Sequence, residues 1–411
     1  MKKILSLLLV LLMVMGVLTG CSGNDKKPDD GEDKLKIGVI LVGNESEGYT
    51  AAHIDGIKEA MKALGLSDDQ VIWKYNIGED QTCYDAAVDL VEQGCVAVFS
   101  NSYGHQTFMQ EAAKDYPDVK FVACTGDSAA ISGLDNFSNA FTNVYESRYV
   151  SGIVAGMKLA ELAKDNKIPQ ESYDAAGNVK IGYVGAYPYA EVKSGFTAFF
   201  LGVQSVFPNV VMEVIYTNSW FNEAVEAETA NTLMSHNCVI IGQHADSTGA
   251  PSAVEAAFNS GKVAYSVGYN IDMLKVAPHA ALTSATNNWG VYYTYAFERV
   301  VKGEKIAVDW AEGYKTGAVA ITELGPECAE GTKEAVEAAI AAIKSGELHV
   351  FSADSFTVNG QHLTELVIDL DGDFKTDSPN DKNALFDGYF HESEFRSAPS
   401  FDIIIDGITA D

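Results

Sequence analysis

Short apolar runs alternate along the chain with longer segments of helical spacing. Residues 35–43 (LKIGVILVG) form an apolar run ending in glycine, which predicts a buried strand. Over 49–64 the apolar side chains recur every three or four residues, which predicts a helix that stops at Gly65. The same order continues with predicted strands at 71–75, 96–99 and 120–124 and predicted helices at 83–93 and 107–116.

The βα order begins again with a predicted helix over 148–164 that has small residues on one face. Two such sets predict an α/β protein of two lobes, each with a parallel sheet covered by helices. Ligands of open α/β sheets bind beyond the carboxyl ends of the strands, so residues directly after each strand become candidates. The second set comprises predicted strands at 180–185, 210–217, 238–242 and 264–268 and predicted helices at 191–206, 222–235 and 251–260.

The last part of the chain has a different pattern. A helix is predicted over 332–345, because its spacing is helical and Gly346 follows it. Short apolar runs then predict strands at 348–351, 355–358, 366–370 and 401–405.

Composition excludes several functions. The 411 residues include 57 acidic and 28 basic side chains, a formal charge of −29, so binding to nucleic acid is not expected. Hydrophobic residues make up 47% of the chain, which is enough for packed cores and excludes general disorder.

The first residues have the features of a secretory leader. Lys2 and Lys3 precede an apolar run over 4–18 that is too short for a comfortable membrane span. The sequence at 18–21 (LTGC) resembles the bacterial lipobox, so residues 1–20 are predicted to be a signal peptide and Cys21 to receive lipid. Residues 21–34 are polar and charged, which predicts a flexible tether to the membrane.

Cysteines and acidic clusters give little support for metal sites. The five cysteines after Cys21 form no CxxC pair; three of them, Cys95, Cys124 and Cys238, lie in apolar runs and are expected to be buried. One disulfide among the five is possible, but its pairing stays open. The aspartates 369, 371, 373 and 377 do not match an EF-hand loop, so a solvated acidic turn is favoured over calcium binding.

Several segments in a consistent order resemble the basic membrane protein family of substrate-binding lipoproteins of ATP-driven importers. The resemblance covers about residues 35–370 and depends on the number and spacing of the segments. They are IGVILVG at 37–43, EGYTAAHIDGIKEA at 47–60, YPDVKFVACTG at 116–126, YESRYVSGIVAGM at 145–157, IGYVGAYPYAEVKSGFTAFFLGVQSV at 181–206, SWFNEAVEAETANTL at 219–233, IIGQHADSTGAPSAVE at 240–255, VGYNIDM at 267–273 and TNNWGVYYT at 286–294.

The resemblance implies a type I periplasmic-binding-protein fold, with two Rossmann-like lobes, a hinge and a central cleft. The first lobe is expected to contain residues 35–143 and about 276–312. The second is expected to contain 144–275 and about 313–370. Residues 371–411 exceed the family pattern and form an extension whose packing is not predicted.

The resemblance also implies a function. Known members bind purine nucleosides or related bases, so this chain is expected to capture a purine-type ligand and deliver it to an ABC permease. It would act as a monomeric, extracytoplasmic, lipid-anchored protein without catalysis, cofactor or metal. Tyr49 stands where the nucleoside-binding branch of the family has phenylalanine. The resemblance is therefore equally compatible with a nucleobase, a modified nucleoside or a standard nucleoside as the ligand.

Aromatic residues near strand ends are candidates for stacking on a purine. Tyr49 follows the first strand, and Trp220 or Phe221 follows a strand of the second set. Stacking on aromatic side chains contributes about 1–3 kcal/mol per base. The alternative for each residue is a place in a hydrophobic core.

Polar residues after the strands are candidates for hydrogen bonds to the ligand. For His53, one turn beyond Tyr49, the alternative is the helix surface, and for Ser102 and Asp272 it is helix capping. Asn288 and Trp289 are expected where the chain crosses between lobes, so each could face a ligand or a hinge. The full polar and crossing set is His53, Ser100, Asn101, Ser102, Gln243, His244, Asp246, Tyr269, Asp272, Asn288 and Trp289.

Three other functions stay open at this point. A sensor lipoprotein would have the same two lobes, and the solute could instead be riboflavin or a sugar. A secreted nucleoside hydrolase is disfavoured, because the sequence contains neither a G-x-S-x-G elbow nor an H-E-x-x-H helix.

Overall fold

A computed structural model describes residues 34–370 and 375–411. The predicted signal peptide, Cys21 and all of the predicted tether except its last residue lie outside the described residues. So do Asp371 and Asp373 of the acidic turn. Within the described ranges, no helix is both long and apolar enough to cross a membrane.

The first sheet has six parallel strands in the order β11-β5-β4-β3-β1-β2. Its strands alternate with helices as the sequence predicts, and strand β5, which the sequence pattern did not predict, lies between β4 and β11. The elements up to β5 are β1 (Lys36–Ile40), α1 (Gly48–Leu64), β2 (Val71–Lys74), α2 (Gln81–Glu92), β3 (Cys95–Ser100), α3 (Gln106–Asp115), β4 (Lys120–Cys124), α4 (Ala129–Ser132) and β5 (Phe137–Thr142).

The second sheet has seven strands in the order β12-β10-β9-β8-β6-β7-β17, and all pairs are parallel except β10 with β12. The predicted α/β fold class is therefore confirmed. The elements of the second lobe up to β10 are α5 (Val144–Lys164), β6 (Val179–Gly185), α6 (Ala190–Val206), β7 (Val210–Tyr216), α7 (Glu223–Ser235), β8 (Ile240–Gln243), α8 (Gly249–Asn259), β9 (Tyr265–Tyr269) and β10 (Ala281–Asn287).

The remaining elements return to the first sheet and then complete the second. Helix α9 packs on α1, and β11 pairs with β5, whereas β12 pairs with β10. These elements are α9 (Trp289–Val301), β11 (Asp309–Glu312), β12 (Val319–Ile321), α10 (Thr332–Ser345), β13 (Val367–Ile368), β14 (Lys382–Asn383), β15 (Leu385–Phe386), β16 (Tyr389–Phe390) and β17 (Ile408–Ala410).

Three segments connect the two lobes, and hydrogen bonds join them. The Thr142 hydroxyl donates to Asn287 Oδ1 at 2.5 Å, and the Asn143 amide donates to the Glu312 carbonyl at 2.8 Å. The chain returns to the first lobe after Asn287, because β10 pairs with β9 in the second sheet. The second crossing therefore comes later than the expected position near residue 276.

Helices α5 and α6 cross at close range in the second lobe. A β-carbon on Gly152 would lie 2.1 Å from the Phe199 carbonyl oxygen, and one on Gly202 would lie 2.0 Å from the Tyr149 carbonyl oxygen. Neither distance leaves room for a side chain, so only glycine permits this approach. The small residues predicted on one face of α5 therefore allow α6 to pack closely against it.

The strands predicted at 348–351, 355–358 and 401–405 do not form. Phe351 and Phe401 are buried and stack on each other with ring centroids 4.5 Å apart. Their apolar character serves side-chain packing rather than a strand ladder, which explains why the prediction was wrong.

The C-terminal extension contacts both lobes. Strand β17 pairs with β7 at the edge of the second sheet, and Lys193 Nζ lies 2.5 Å from Asp402 Oδ1. The Ser397 amide donates to Asp309 Oδ1 of β11, in the first sheet, at 2.8 Å. The extension is therefore integrated into the folded unit, beyond what the family resemblance predicts.

The cysteines within the described ranges are free thiols. They are Cys83, Cys95, Cys124, Cys238 and Cys328, so the disulfide left open by the sequence does not form among them. Burial of the three cysteines expected to act as small hydrophobic residues is confirmed.

Candidate functional site

A cavity lies between the two lobes, at the carboxyl ends of the strands of both sheets. It has an empty volume of about 520 Å³, part of which is open to solvent. Strand ends meet there because parallel strands all finish at the same edge of their sheet. The lining residues are Val42, Glu47, Tyr49, Glu79, Asn101, Ser102, Tyr103 and Thr125 from the first lobe and Glu191, Trp220, Asp246 and Tyr269 from the second.

Asn101 organises the first-lobe wall. Its Oδ1 accepts a hydrogen bond from the Val42 amide at 2.8 Å, and its carbonyl oxygen accepts one from the Tyr49 hydroxyl at 2.5 Å. Its Nδ2 donates to the Thr50 hydroxyl at 3.3 Å. These bonds hold the ring of Tyr49 beside the end of β3.

A buried aromatic layer supports Tyr49 from behind. His53 is fully buried; its ring stacks on Trp289 with centroids 4.1 Å apart, and its Nδ1 lies 2.7 Å from the Tyr293 hydroxyl. Burial holds the pKa of His53 well below its usual value, so the imidazole is neutral. His53 and Trp289 were candidates for the cavity, but their side chains lie in the core because α1 packs that face against α9.

Aromatic rings also form much of the second-lobe wall. Trp220 lies edge-on to Tyr187, with centroids 5.3 Å apart, and its carbonyl oxygen accepts a hydrogen bond from the Asp246 amide at 2.8 Å. The Arg148 guanidinium lies 3.7 Å from the centre of the Tyr269 ring. Because Arg148 is almost fully buried, it serves as a support for that ring.

A chain of hydrogen bonds connects the hinge to Asp246. The Thr142 hydroxyl donates to Asn287 Oδ1 at 2.5 Å, Asn287 Nδ2 donates to Asn270 Oδ1 at 3.0 Å, and Asn270 Nδ2 donates to Asp246 Oδ1 at 2.7 Å. All four side chains are buried. Asn287 Nδ2 also donates to the Tyr269 hydroxyl at 3.2 Å. We call these four residues the hinge relay; every bond in it points from the hinge toward the cavity.

Asn270 has a backbone conformation suited to this role. Its φ is +63°, in the left-handed region that asparagine tolerates better than most residues. The amide of Asn270 can thereby bond at once to Asp246 and to Asn287.

Three carboxyl groups of the cavity, those of Glu47, Glu191 and Asp246, have raised pKa values. Burial is the largest cause for Asp246, whose pKa lies well above its usual value, and the charges of Glu47, Glu226 and Glu191 add to it. Burial raises the pKa of Glu191 to about 7, against the lowering effect of Arg148. Burial and the charge of Glu79 raise the pKa of Glu47. The cavity therefore disfavours its own negative charges.

The backbones of the two lobes approach closely across the cleft, beside Glu47 and Asp246. A β-carbon on Gly48, next to Glu47, would lie 3.2 Å from the carbonyl oxygen of Asp246. The start of α1 in the first lobe thus meets the loop after β8 in the second.

The structure brings together six of the predicted ligand-binding residues. They are Tyr49, Asn101, Ser102, Trp220, Asp246 and Tyr269.

Other candidates from the ends of strands lie beside the cavity. The Ser100 hydroxyl donates to the Val122 carbonyl at 3.5 Å, and Gln243 Nε2 donates to the Ala245 carbonyl at 2.8 Å. His244 is buried with its Nε2 3.2 Å from Glu191 Oε1. These side chains contact neighbouring polar groups of the protein and do not line the cavity.

The remaining candidates have structural or surface positions. Asp272 Oδ1 accepts from the Leu274 amide at 3.0 Å, which is the capping role considered as its alternative. Asn288 Nδ2 donates to the Gly317 carbonyl at 3.0 Å. Phe221 is 44% exposed and lines a shallow groove beside α7 and α8.

Sequence reasoning missed the lining residues Glu47 and Glu191. Each lies at the start of the helix that follows a strand, so the same strand-end rule could have found them. The other missed residues are Val42, Glu79, Tyr103 and Thr125. In the described ranges, no group of three or more histidine, cysteine, aspartate or glutamate side chains is placed to hold a metal ion.

Comparison with known proteins gives one family match. Residues 34–350 match the family described as Bmp, ABC transporter substrate-binding protein PnrA-like. A protein of Brucella abortus (strain 2308) named as purine-binding is 33% identical over 322 residues, which cover 78% of this chain and 84% of that protein. A putative ABC transporter glucose-binding protein of Haloferax volcanii is 28% identical over 330 residues, covering 80% of this chain and 77% of that protein.

A solved structure supports the fold. An ABC transporter solute-binding protein of Aeropyrum pernix K1 aligns with a TM-score of 0.63 at 17% identity, covering 80% of this chain and 95% of that chain. At this identity the likeness concerns the fold alone, and it confirms the type I-like arrangement of two α/β lobes.

The hinge relay should stabilise the folded protein measurably. Asn270→Gly keeps the left-handed backbone but leaves Asp246 Oδ1 and Asn287 Nδ2 without that partner, so the free energy of unfolding should fall by about 2–4 kcal/mol. Urea denaturation would measure the change.

Asn359→Gly is the matched control for this substitution. Asn359 also has positive φ, +53°, but it is exposed, so its replacement should change the free energy of unfolding by about 0.5 kcal/mol or less. Equal effects of the two substitutions would contradict a role of the relay in stability.

Proposed function

The chain belongs to the PnrA-like family of ABC transporter substrate-binding proteins, and from this premise we propose that it captures a purine nucleobase or nucleoside in the interlobe cavity. The closed, loaded form would then deliver the ligand to a membrane permease. The observation that carries the proposal is the arrangement of aromatic and hydrogen-bonding side chains from both lobes around one cavity.

The cavity has the chemical features that a purine requires. A purine has flat faces for stacking and an edge of hydrogen-bond donors and acceptors. Tyr49 comes from the first lobe, and Trp220 and Tyr269 come from the second, so rings from both lobes are available for stacking. Asn101 and Asp246 supply polar groups near these rings.

The relatives support a purine more than a sugar. The protein that is named as purine-binding has the higher identity, 33%, and the protein named as glucose-binding has 28%. A sugar stays the second candidate because of that relative. Sites that combine polar side chains with one or two aromatic rings can also bind sugars. A direct binding experiment therefore has to distinguish a purine from a sugar.

The three crossing segments are suited to a hinge motion that encloses the ligand. The lobes meet at the segments after Thr142, Asn287 and Glu312, and the cavity lies beyond the strand ends beside them. A ligand that contacts both lobes favours the closed arrangement by the difference in its affinity for the two states. Signal transduction by the same closed form is the alternative to transport.

We also propose that the protein is extracytoplasmic and attached to the membrane through lipid on Cys21, as the leader sequence indicates. Cys21→Ser should remove the acceptor for the lipid and shift the protein from the membrane fraction to the soluble or secreted fraction. Immunoblotting of cell fractions would measure this. A variant that stays in the membrane fraction would contradict the proposal.

Purine ligands should raise the thermal stability of the purified protein. At a ligand concentration of 100 times Kd the free energy of unfolding should rise by about 2.7 kcal/mol, because the ligand binds only the folded state. Differential scanning fluorimetry with adenine, hypoxanthine, adenosine, inosine, riboflavin and glucose would detect the effect. A shift with glucose or riboflavin and none with any purine would contradict the purine assignment.

The stacking role can be tested by a matched pair of tryptophan substitutions. Trp220→Ala should weaken purine binding by about 1–3 kcal/mol, as expected for the loss of one stacking side chain. Trp73→Ala, on the edge strand β2 and outside the cavity lining, is the control and should leave affinity unchanged. Equal affinity of both variants and the original protein would exclude stacking on Trp220.

A further inference from the structure

The polar character of the cavity is dominated by carboxyl groups. Glu47 and Glu79 line it from the first lobe, and Glu191 and Asp246 line it from the second. The lining formed by the described residues contains no lysine, arginine or histidine. Arg148, whose charge acts on Glu191 and Asp246, lies against the Tyr269 ring and outside that lining.

Most hydroxyl hydrogens of the lining are already used within the protein. The Tyr49 hydroxyl donates to the Asn101 carbonyl, and the Thr125 hydroxyl donates to the Cys124 carbonyl at 2.6 Å. The hydroxyl of Tyr269 accepts from Asn287, so its hydrogen remains available. Two further hydroxyl groups donate to carboxylates: Ser102 to Glu79, and Tyr103 to Asp127 at 3.2 Å.

Acceptor atoms, by contrast, remain in excess. Asp246 uses Oδ1 to accept from Asn270, Glu191 uses Oε1 toward His244, and Glu47 uses Oε2 to accept from Thr50 at 2.5 Å. Their second carboxyl oxygens make no hydrogen bond within the described part of the chain. A carboxyl group offers acceptor lone pairs in either protonation state, and it has at most one hydrogen to donate.

These acceptors select the chemistry of the ligand. Leaving a buried polar group without a partner on binding costs about 1–3 kcal/mol, so a good ligand brings N–H or O–H donors to the carboxyl oxygens. A carbonyl group of the ligand at the same place would be repelled, because its oxygen and the carboxyl oxygens would both present lone pairs. A phosphate or carboxylate would add a negative charge to a cavity that already disfavours its own.

We propose that the cavity is selective for purines with exocyclic amino groups, as free base or nucleoside, and that Asp246, which lines it with Glu47 and Glu191, accepts hydrogen bonds from the amino group. This inference rests on the proposed function, since it names the substrate class of the same site. Oxo-substituted purines of the same size bind more weakly, and phosphorylated nucleosides are rejected.

Asp246 gives the most direct test of this selectivity, because the hinge relay fixes the hydrogen-bond direction at its side chain. Asn270 Nδ2 donates to Oδ1 of Asp246, and its own Oδ1 is occupied by Asn287, so the donor direction is set. In Asp246→Asn the new side chain must therefore turn its carbonyl oxygen toward Asn270. Its NH₂ group then faces the cavity, so an oxygen that can accept hydrogen bonds is replaced by a group that can only donate them.

Isothermal titration of the purified protein with matched purines tests the proposal. The probes are 2,6-diaminopurine, adenine, hypoxanthine and xanthine, which share one ring system and differ in amino and oxo groups, together with adenosine and adenosine monophosphate. We expect the amino-substituted bases to bind at least about tenfold more tightly than their oxo counterparts, because a site of acceptors penalises the wrong partner strongly. Adenosine should bind more tightly than adenosine monophosphate by a similar factor.

The variants separate the role of the carboxyl group from a general change of charge. Asp246→Asn should reduce the amino-over-oxo preference at least about fivefold, because it mispairs one buried polar contact. Glu191→Gln provides a second lining variant if the first does not fold. Glu45→Gln removes the same charge from an exposed position outside the lining and should leave the preference unchanged.

The outcomes distinguish this inference from the proposed function. If purines bind with equal affinity for amino and oxo forms, or if Asp246→Asn and Glu191→Gln fold and keep the preference, the selectivity is overturned while purine binding stands. If adenosine monophosphate binds as tightly as adenosine, the exclusion of anions is overturned. If no purine binds, the proposed function fails and the inference fails with it.

Discussion

The one-way hydrogen-bond chain from Thr142 through Asn287 and Asn270 to Asp246 is the constraint on which the site depends. It joins two of the crossing segments to each other and holds one oxygen of Asp246, which leaves the second oxygen for the cavity. Asn287 also bonds to the Tyr269 hydroxyl, so a single amide positions both a polar and an aromatic element of the site. The relay is buried and gives Asp246 a continuous chain of direct contacts to the hinge.

The carboxyl groups of the cavity show the cost of such a site. Burial raises the pKa values of Glu47, Glu191 and Asp246, which means that the cavity disfavours the charged forms of these groups. Their presence at the meeting of two lobes agrees with a protein whose closed state is completed by a ligand, since donors from the ligand can satisfy groups on both lobes.

Much of this organisation follows from the sequence by simple physical rules. Apolar runs and helical spacing identified the parallel sheets, and the strand-end rule found Tyr49, Asn101, Trp220 and Asp246. Helical spacing alone could not show that His53 faces α9, because the partner helix comes more than 200 residues later. Local pattern also could not distinguish the packed Phe401 from a strand residue. Glu191 was missed because it lies in the first turn of α6 rather than directly after strand β6.

The crystal structure of the complex with adenine is the measurement that tests the central claim most directly. We predict adenine in the interlobe cavity, in contact with Tyr49 or Trp220, with its exocyclic nitrogen within about 3.2 Å of an oxygen of Asp246, Glu191 or Glu47. Adenine bound elsewhere would contradict this account. So would adenine in the cavity with its amino group turned away from all three carboxyl groups.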